Sequence, residues 1–198
     1  MNRGILVVAF AAVALSSGCA KKQTSGSPTA EPPEVAAAHP AASAQEQSEI
    51  SPHGHPDESF FESAADGGMA EVEAGKLALT KGSRPAVRSF ATMMVKDHTA
   101  ANDQLRKIAE EHDITLPTQL SPDHESMMST LAGLSGTAFD QEYLRGQVKD
   151  HEATAALLQS ESDSGQNADA KAFAKDTLPI VQTHLEKVKE LAGKAEEN

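Results

Sequence analysis

The chain has 198 residues, of which 39% are hydrophobic and 23% charged, and a formal net charge of −12. That length suits one domain of ordinary size with extensions, and the negative field excludes capture of nucleic acid or anionic lipid headgroups by charge attraction. Aromatics are 4%, with no Trp, and there is one cysteine. Helices are therefore favoured over strands, an intramolecular disulfide is excluded, and the lone cysteine requires another explanation.

The N-terminus offers one. Arg3 supplies a positive start, and Ile5 to Leu15 is an unbroken apolar stretch. Its length fits the hydrophobic region of a signal peptide and falls short of the roughly 20 apolar residues of a membrane span. Ser16, Ser17, Gly18 and Cys19 follow. This order resembles a bacterial lipobox, in which the signal is cut before a cysteine that carries diacylglycerol. It departs from that pattern in having Ser16 where Leu is usual, with Leu15 one place further back. Residues 1–18 are expected to be a lipoprotein signal peptide and Cys19 the lipidation site. Buried acyl methylenes contribute about 0.8 kcal/mol each, so several chains on one residue anchor a protein stably. Ala20, rather than Asp, resembles a signal for release to the outer membrane, which places the protein in the cell envelope facing the periplasm.

Residues 19–57 are rich in Ala, Pro, Ser, Gln and Glu and lack a periodic apolar face. Such a segment cannot offset its ordering entropy by burial and reads as a flexible tether. His53 and His55 within it read as solvated linker histidines.

Helical apolar spacing begins at Phe60. A first helix is predicted from about Glu58 to Lys81, ended by Gly82 and Ser83. A second starts at Pro85, a favoured first helical residue, and runs to about His112. Pro117 and Pro122 lie in the following break. A short extra helix at Ser121–Ala132 comes next, then a third main helix from about Thr137 to Ser162. After a turn at Ser164, Gly165 and Asn167, a fourth runs from Ala168 to about Ala195, with Pro179 expected to kink it. No strand signal is present. The expected architecture is all-α: an antiparallel up-down-up-down four-helix bundle in residues 58–196, with the short helix before the third main one.

Three of the core stripes contain a histidine. The second helix reads Val87, Phe90, Met94, His98, Ala101, Leu105, Ile108. The third reads Leu144, Val148, His151, Ala155, Leu158, and the fourth Phe173, Thr177, Ile180, His184, Val188, Leu191. The spacing alternates threes and fours, as a buried seam requires. At a rise of about 1.5 Å per residue, each histidine lies roughly 18 to 24 Å from its turn, so all share one level. Glu71 of the first helix falls close to it. Gly67, Gly68 and Gly75 flank Glu71 and are expected to permit close helix approach.

Buried polar groups left alone cost about 1 to 3 kcal/mol each. A Glu71/His98/His151/His184 cluster is therefore expected to be mutually bonded or to hold a transition metal ion, with Zn, Fe, Mn and Cu suited to imidazole and carboxylate ligands. Asp97 and Asp150 diverge by about 100° from the histidines they precede, so they are expected to orient a histidine on a neighbouring helix. No Glu-x-x-His occurs, which withholds support from di-iron chemistry. Met93, Met94, Met127 and Met128 read as core filler, Asp140 as an N-terminal helix acid and Tyr143 as a core-edge aromatic. No nucleophile motif or phosphate loop is present. A metal site and a purely structural polar core both remain open. A redox or hydrolytic enzyme with three His and an open coordination position is a weaker third reading, and a non-catalytic module that binds an envelope protein through its acidic helical surface is the alternative to metal handling.

Several pieces, in order, resemble a bacterial family of unknown function labelled "predicted outer membrane protein". They are Phe60-Phe61 with Ala64-Ala65, Gly67-Gly68-Met69-Ala70-Glu71-Val72, Phe90-Ala91 through Asp97-His98, and Leu116-Pro117, followed by Phe139-Asp140 with Tyr143, His151, Leu178-Pro179 and His184-Leu185. The resemblance implies a ferritin-like four-helix domain in the periplasm or outer envelope and no established reaction. It also implies that Glu71, His98, His151 and His184 are polar positions within the bundle, as in a metal or ligand site.

Overall fold

The computed structural model describes residues 54–196. The signal segment, Cys19 and the tether as far as His53 lie outside the described residues. The described chain is a helical bundle of five helices: α1 (Glu58–Lys81), α2 (Pro85–Glu111), α3 (Pro122–Gly133), α4 (Gly136–Ser164) and α5 (Ala168–Glu196). No strand occurs among the described residues, and none of their helices is long and apolar enough to cross a membrane. Helix α1 lies along α2 and against α4, α4 lies along α5, and α2 also meets α5.

Local chemistry sets the ends. Pro85 and Pro122 occupy first-turn positions of α2 and α3, and the Ser121 hydroxyl accepts from the His124 backbone N–H as an N-cap. Asp140 is a correction to the sequence reading. It is fully buried, and its carboxylate accepts from Ser83 N (2.9 Å), Ser83 Oγ (2.6 Å) and Arg84 N (3.0 Å), with Arg84 Nε at 3.3 Å. It clamps the α1–α2 turn to the start of α4. Lys81 adds to this end by donating to the Ala132 and Leu134 carbonyls.

The direction of the helices also departs from simple alternation. The α1–α2 turn meets the start of α4 through Asp140. At the opposite end, Asp57, just before α1, accepts from the Gln166 and Asn167 backbone N–H groups, just before α5. There too, His112 at the end of α2 lies 2.8 Å from Asp169 at the start of α5. Helices α2 and α4 therefore start at the same end, and α1 and α5 both start at the other. The chain returns between α2 and α4 along α3, which packs on α1. A twelve-residue helix spans about 18 Å, a little under half of the roughly 40 Å length of α2, and the chain between α2 and α3 covers the rest.

Two apolar clusters fill the interior. One contains Ala78, Phe90, Met94, Phe139, Tyr143, Leu144 and Val188. The other contains Phe61, Leu105, Leu158, Phe173 and Val181. On each of the four long helices the Glu71/His98/His151/His184 level lies between a residue of one cluster and a residue of the other. Tyr143 is thus deep in the core, stacked on Phe139 at 5.8 Å, and is not at its edge. In α5 the stripe passes through Val181, 1% exposed, while Ile180 is 46% exposed. Both positions satisfy a three-or-four spacing from Thr177 and His184, so periodicity alone left the choice open. Helix α5 continues unbroken through Pro179.

Candidate metal centre

The structure brings the three histidines together. Ring centroids of His98, His151 and His184 lie 5.4 to 5.6 Å apart. One ligand nitrogen from each lies within 4.8 Å of the others, and all three residues are buried. Metal-bound imidazole nitrogens sit about 2.0–2.1 Å from an ion, hence about 3.4 Å from each other, so the set would draw in by up to about 1.4 Å around one.

Hydrogen bonds orient two of the rings. His151 Nδ1 donates to the Gln147 carbonyl at 2.9 Å, one turn back on α4, and lies 3.4 Å from Glu71 Oε1. His184 Nε2 donates to Asp97 Oδ2 on α2 at 3.2 Å. A carbonyl and a carboxylate only accept, which assigns these protons and puts the remaining lone pairs on His151 Nε2 and His184 Nδ1. Those two nitrogens and His98 Nε2 are buried without a hydrogen-bond partner. Burial holds the rings neutral. It pushes His98 down to about 3 and His151 to about 4, in each case reinforced by neighbouring imidazoles, and it lowers His184 against the opposing pull of Asp97. Three neutral imidazoles, each with a buried nitrogen that makes no hydrogen bond and two of them backed by acceptors, are a donor set suited to a transition ion.

Glu71 joins the cluster from α1. Gln147 donates its amide to Glu71 Oε2, while Glu71 Oε1 has no hydrogen bond. Burial raises the Glu71 carboxyl to about 8 despite that donor. Gln147 went unnoticed in sequence although it lies one turn from both Tyr143 and His151 on the α4 stripe. An amide at that spacing on the core face of α4 is the signal the sequence carries. Tyr143 Oη is also buried without a partner, and Glu71 adds to the burial that raises it.

Asp97 meets a neighbouring helix's histidine. Asp150 is placed differently: burial raises its carboxyl, and the charges that offset this belong to His124 and Lys149. A second polar group joins α1 to the start of α3. His124 Nδ1 lies 2.8 Å from Asp66 Oδ2 and 3.3 Å from Ser121 Oγ. Both contacts use the same nitrogen, so the ring cannot pass a proton from the serine to its other side as a nucleophilic triad must. This group is a helix cap.

The expected role of the glycines holds at two positions. An added Cβ would come within 2.7 Å of Val95 Cγ2 at Gly75 and would strike the Asn102 side chain at Gly68, whereas at Gly67 it meets nothing within 4 Å.

Residues 37–191 match the family described as "Domain of unknown function (DUF4142)", and the chain belongs to that family. Among solved structures it is similar to "CopM in the Cu(I)-bound form", at 13% identity and a TM-score of 0.60, covering 71% of this chain and 97% of that one. At that identity the likeness is one of fold. No curated protein matches the sequence.

Proposed function

We propose that this member of the domain-of-unknown-function family is an envelope lipoprotein with a ferritin-like bundle that binds a transition metal ion through His98, His151 and His184. Glu71 sits beside the ion, and Asp97 orients one of its ligands. The observation that carries the reading is the set of three buried, unpartnered imidazole nitrogens at the meeting point of three helices. A hydrogen-bonded polar core built only for packing would leave fewer of its atoms unsatisfied. The helix directions, with a long return between α2 and α4, suit a ferritin-like bundle with one crossover connection. The structural neighbour, described as bound to Cu(I), makes copper the first ion to test, followed by Zn, Fe and Mn.

The role that follows is metal handling or envelope stress defence. His98, His151 and His184 would hold the ion, which would supply Lewis-acid or one-electron chemistry. Anchoring rests on the lipobox-like run before Cys19, and Cys19→Ser should move the protein from the membrane to the soluble fraction.

The test is elemental analysis of the full chain, purified without a metal-binding tag. About one equivalent of a transition metal, lost on His98→Ala and on His184→Ala, is the expected result. No bound metal, and no rise in melting temperature on adding copper, zinc, iron or manganese, would leave a structural polar core and point to a protein-interaction module.

A further inference from the structure

A cavity of about 40 Å³ lies among α1, α2, α4 and α5, and both Glu71 and His98 line it. Its α1 wall is Ser63, Ala64, Gly67, Gly68 and Glu71, which recur on one face of that helix. Ser63 is exposed and Glu71 buried, so the wall leads from solvent to the cluster over eight residues, or about 12 Å. The opposite walls are mainly apolar, with Leu158, Phe173 and Val181. Small side chains alone would carry little. Here the inner end is lined by Glu71 and His98, whose Oε1 and Nε2 are buried and make no hydrogen bond.

Size selects what can use the space. A buried water needs about 10–15 Å³ of such volume, so the cavity holds about three or four waters at most, or one molecule of two or so heavy atoms. A cation with six waters would need about 60–90 Å³ of the same volume and does not fit. The apolar walls disfavour the passage of a charged molecule, which would shed its water on the way in. Three imidazoles also leave at least one position on an ion open.

Resting on the metal-binding reading above, we propose that this cavity admits a small neutral molecule of two heavy atoms to an ion held by His98, His151 and His184, with Glu71 at the inner end. The site is then a ligand-binding centre and not merely a metal store.

The test uses the full chain loaded with Cu(I) and carbon monoxide as the probe, read by the infrared stretch of copper-bound CO and normalised to bound copper. Gly67 is chosen for the plug because it lines the cavity and has room for a side chain, an added Cβ meeting no atom within 4 Å. The wild type should show the band. Gly67→Leu should slow CO association at least tenfold, and Gly67→Ala, which adds one carbon and favours the helix, should fall between them. Copper bound at full stoichiometry with no CO band, or unchanged CO kinetics in both variants, overturns the cavity proposal alone. Absence of bound copper in the wild type overturns the metal reading and this inference with it.

Discussion

Gln147 on α4 donates its side-chain amide to Glu71 on α1, and both side chains are buried. This bond ties the two halves of the bundle at the histidine level. Gln147→Leu removes the donor and leaves a buried carboxyl unmatched, which should cost about 1–3 kcal/mol. In the double variant Gln147→Leu/Glu71→Leu both polar partners are gone, and much of the loss should return. Urea unfolding of the wild type, the two single variants Gln147→Leu and Glu71→Leu, and the double variant checks this. Additive losses in the double variant would show that the two residues act separately.

Metal binding should appear as stability. A ligand that binds only the folded state adds about 2.7 kcal/mol at 100 times its dissociation constant. His98→Ala and His151→Ala should therefore lower the melting temperature more with metal present than after chelation. Equal losses in both conditions would count against a bound ion.

Glu161, at the end of α4, gives a pH dependence. Burial, with Asp57 beside it, raises its carboxyl from 4.5 to about 7. The unfolded chain loses this proton near pH 4.5 and the folded chain near 7. The stabilisation is thus complete below 4.5 and is lost as pH rises through 7. The denaturant midpoint should fall between pH 5 and 8, and Glu161→Gln should flatten that fall. An identical slope in the variant would show that other groups govern it.

Asp140 accepts hydrogen bonds from Ser83 and Arg84 while fully buried. Asp140→Ala strands these donors and should cost about 3 kcal/mol or more. Thermal or urea unfolding measures it, and a loss below about 1 kcal/mol would mean that the α1–α2 turn is held by other contacts.

At Gly75 sterics and propensity oppose each other. Gly75→Ala gains up to about 1 kcal/mol in helix propensity, but its Cβ would lie 2.7 Å from Val95 Cγ2. Valine is stiff at χ1 and yields poorly, so the single variant should be destabilised. Adding Val95→Ala should restore part of the loss, and a Gly75→Ala protein more stable than wild type would show that α1 and α2 can separate without cost.

The helices were legible in the sequence because a run such as Val87, Phe90, Met94, His98 reports its own period, and Pro85, Pro122 and Gly165 mark where such runs end. The shared level of His98, His151 and His184 was legible as well. Each lies near the middle of its helix, and a midpoint keeps its height when the helix is reversed. That is why the cluster assembled although α4 runs opposite to the direction expected from simple alternation. Long-range contacts were not legible. The clamp of Asp140 on Ser83, the choice of His184 as the histidine that Asp97 meets, and the bond from Gln147 to Glu71 depend on helix rotation and on the return path of α3. The sequence by itself determined where the helices run and at what height along them the three histidines sit. Only the tertiary structure decided which of them meet, because partners on different helices are set by packing, and no local period encodes that.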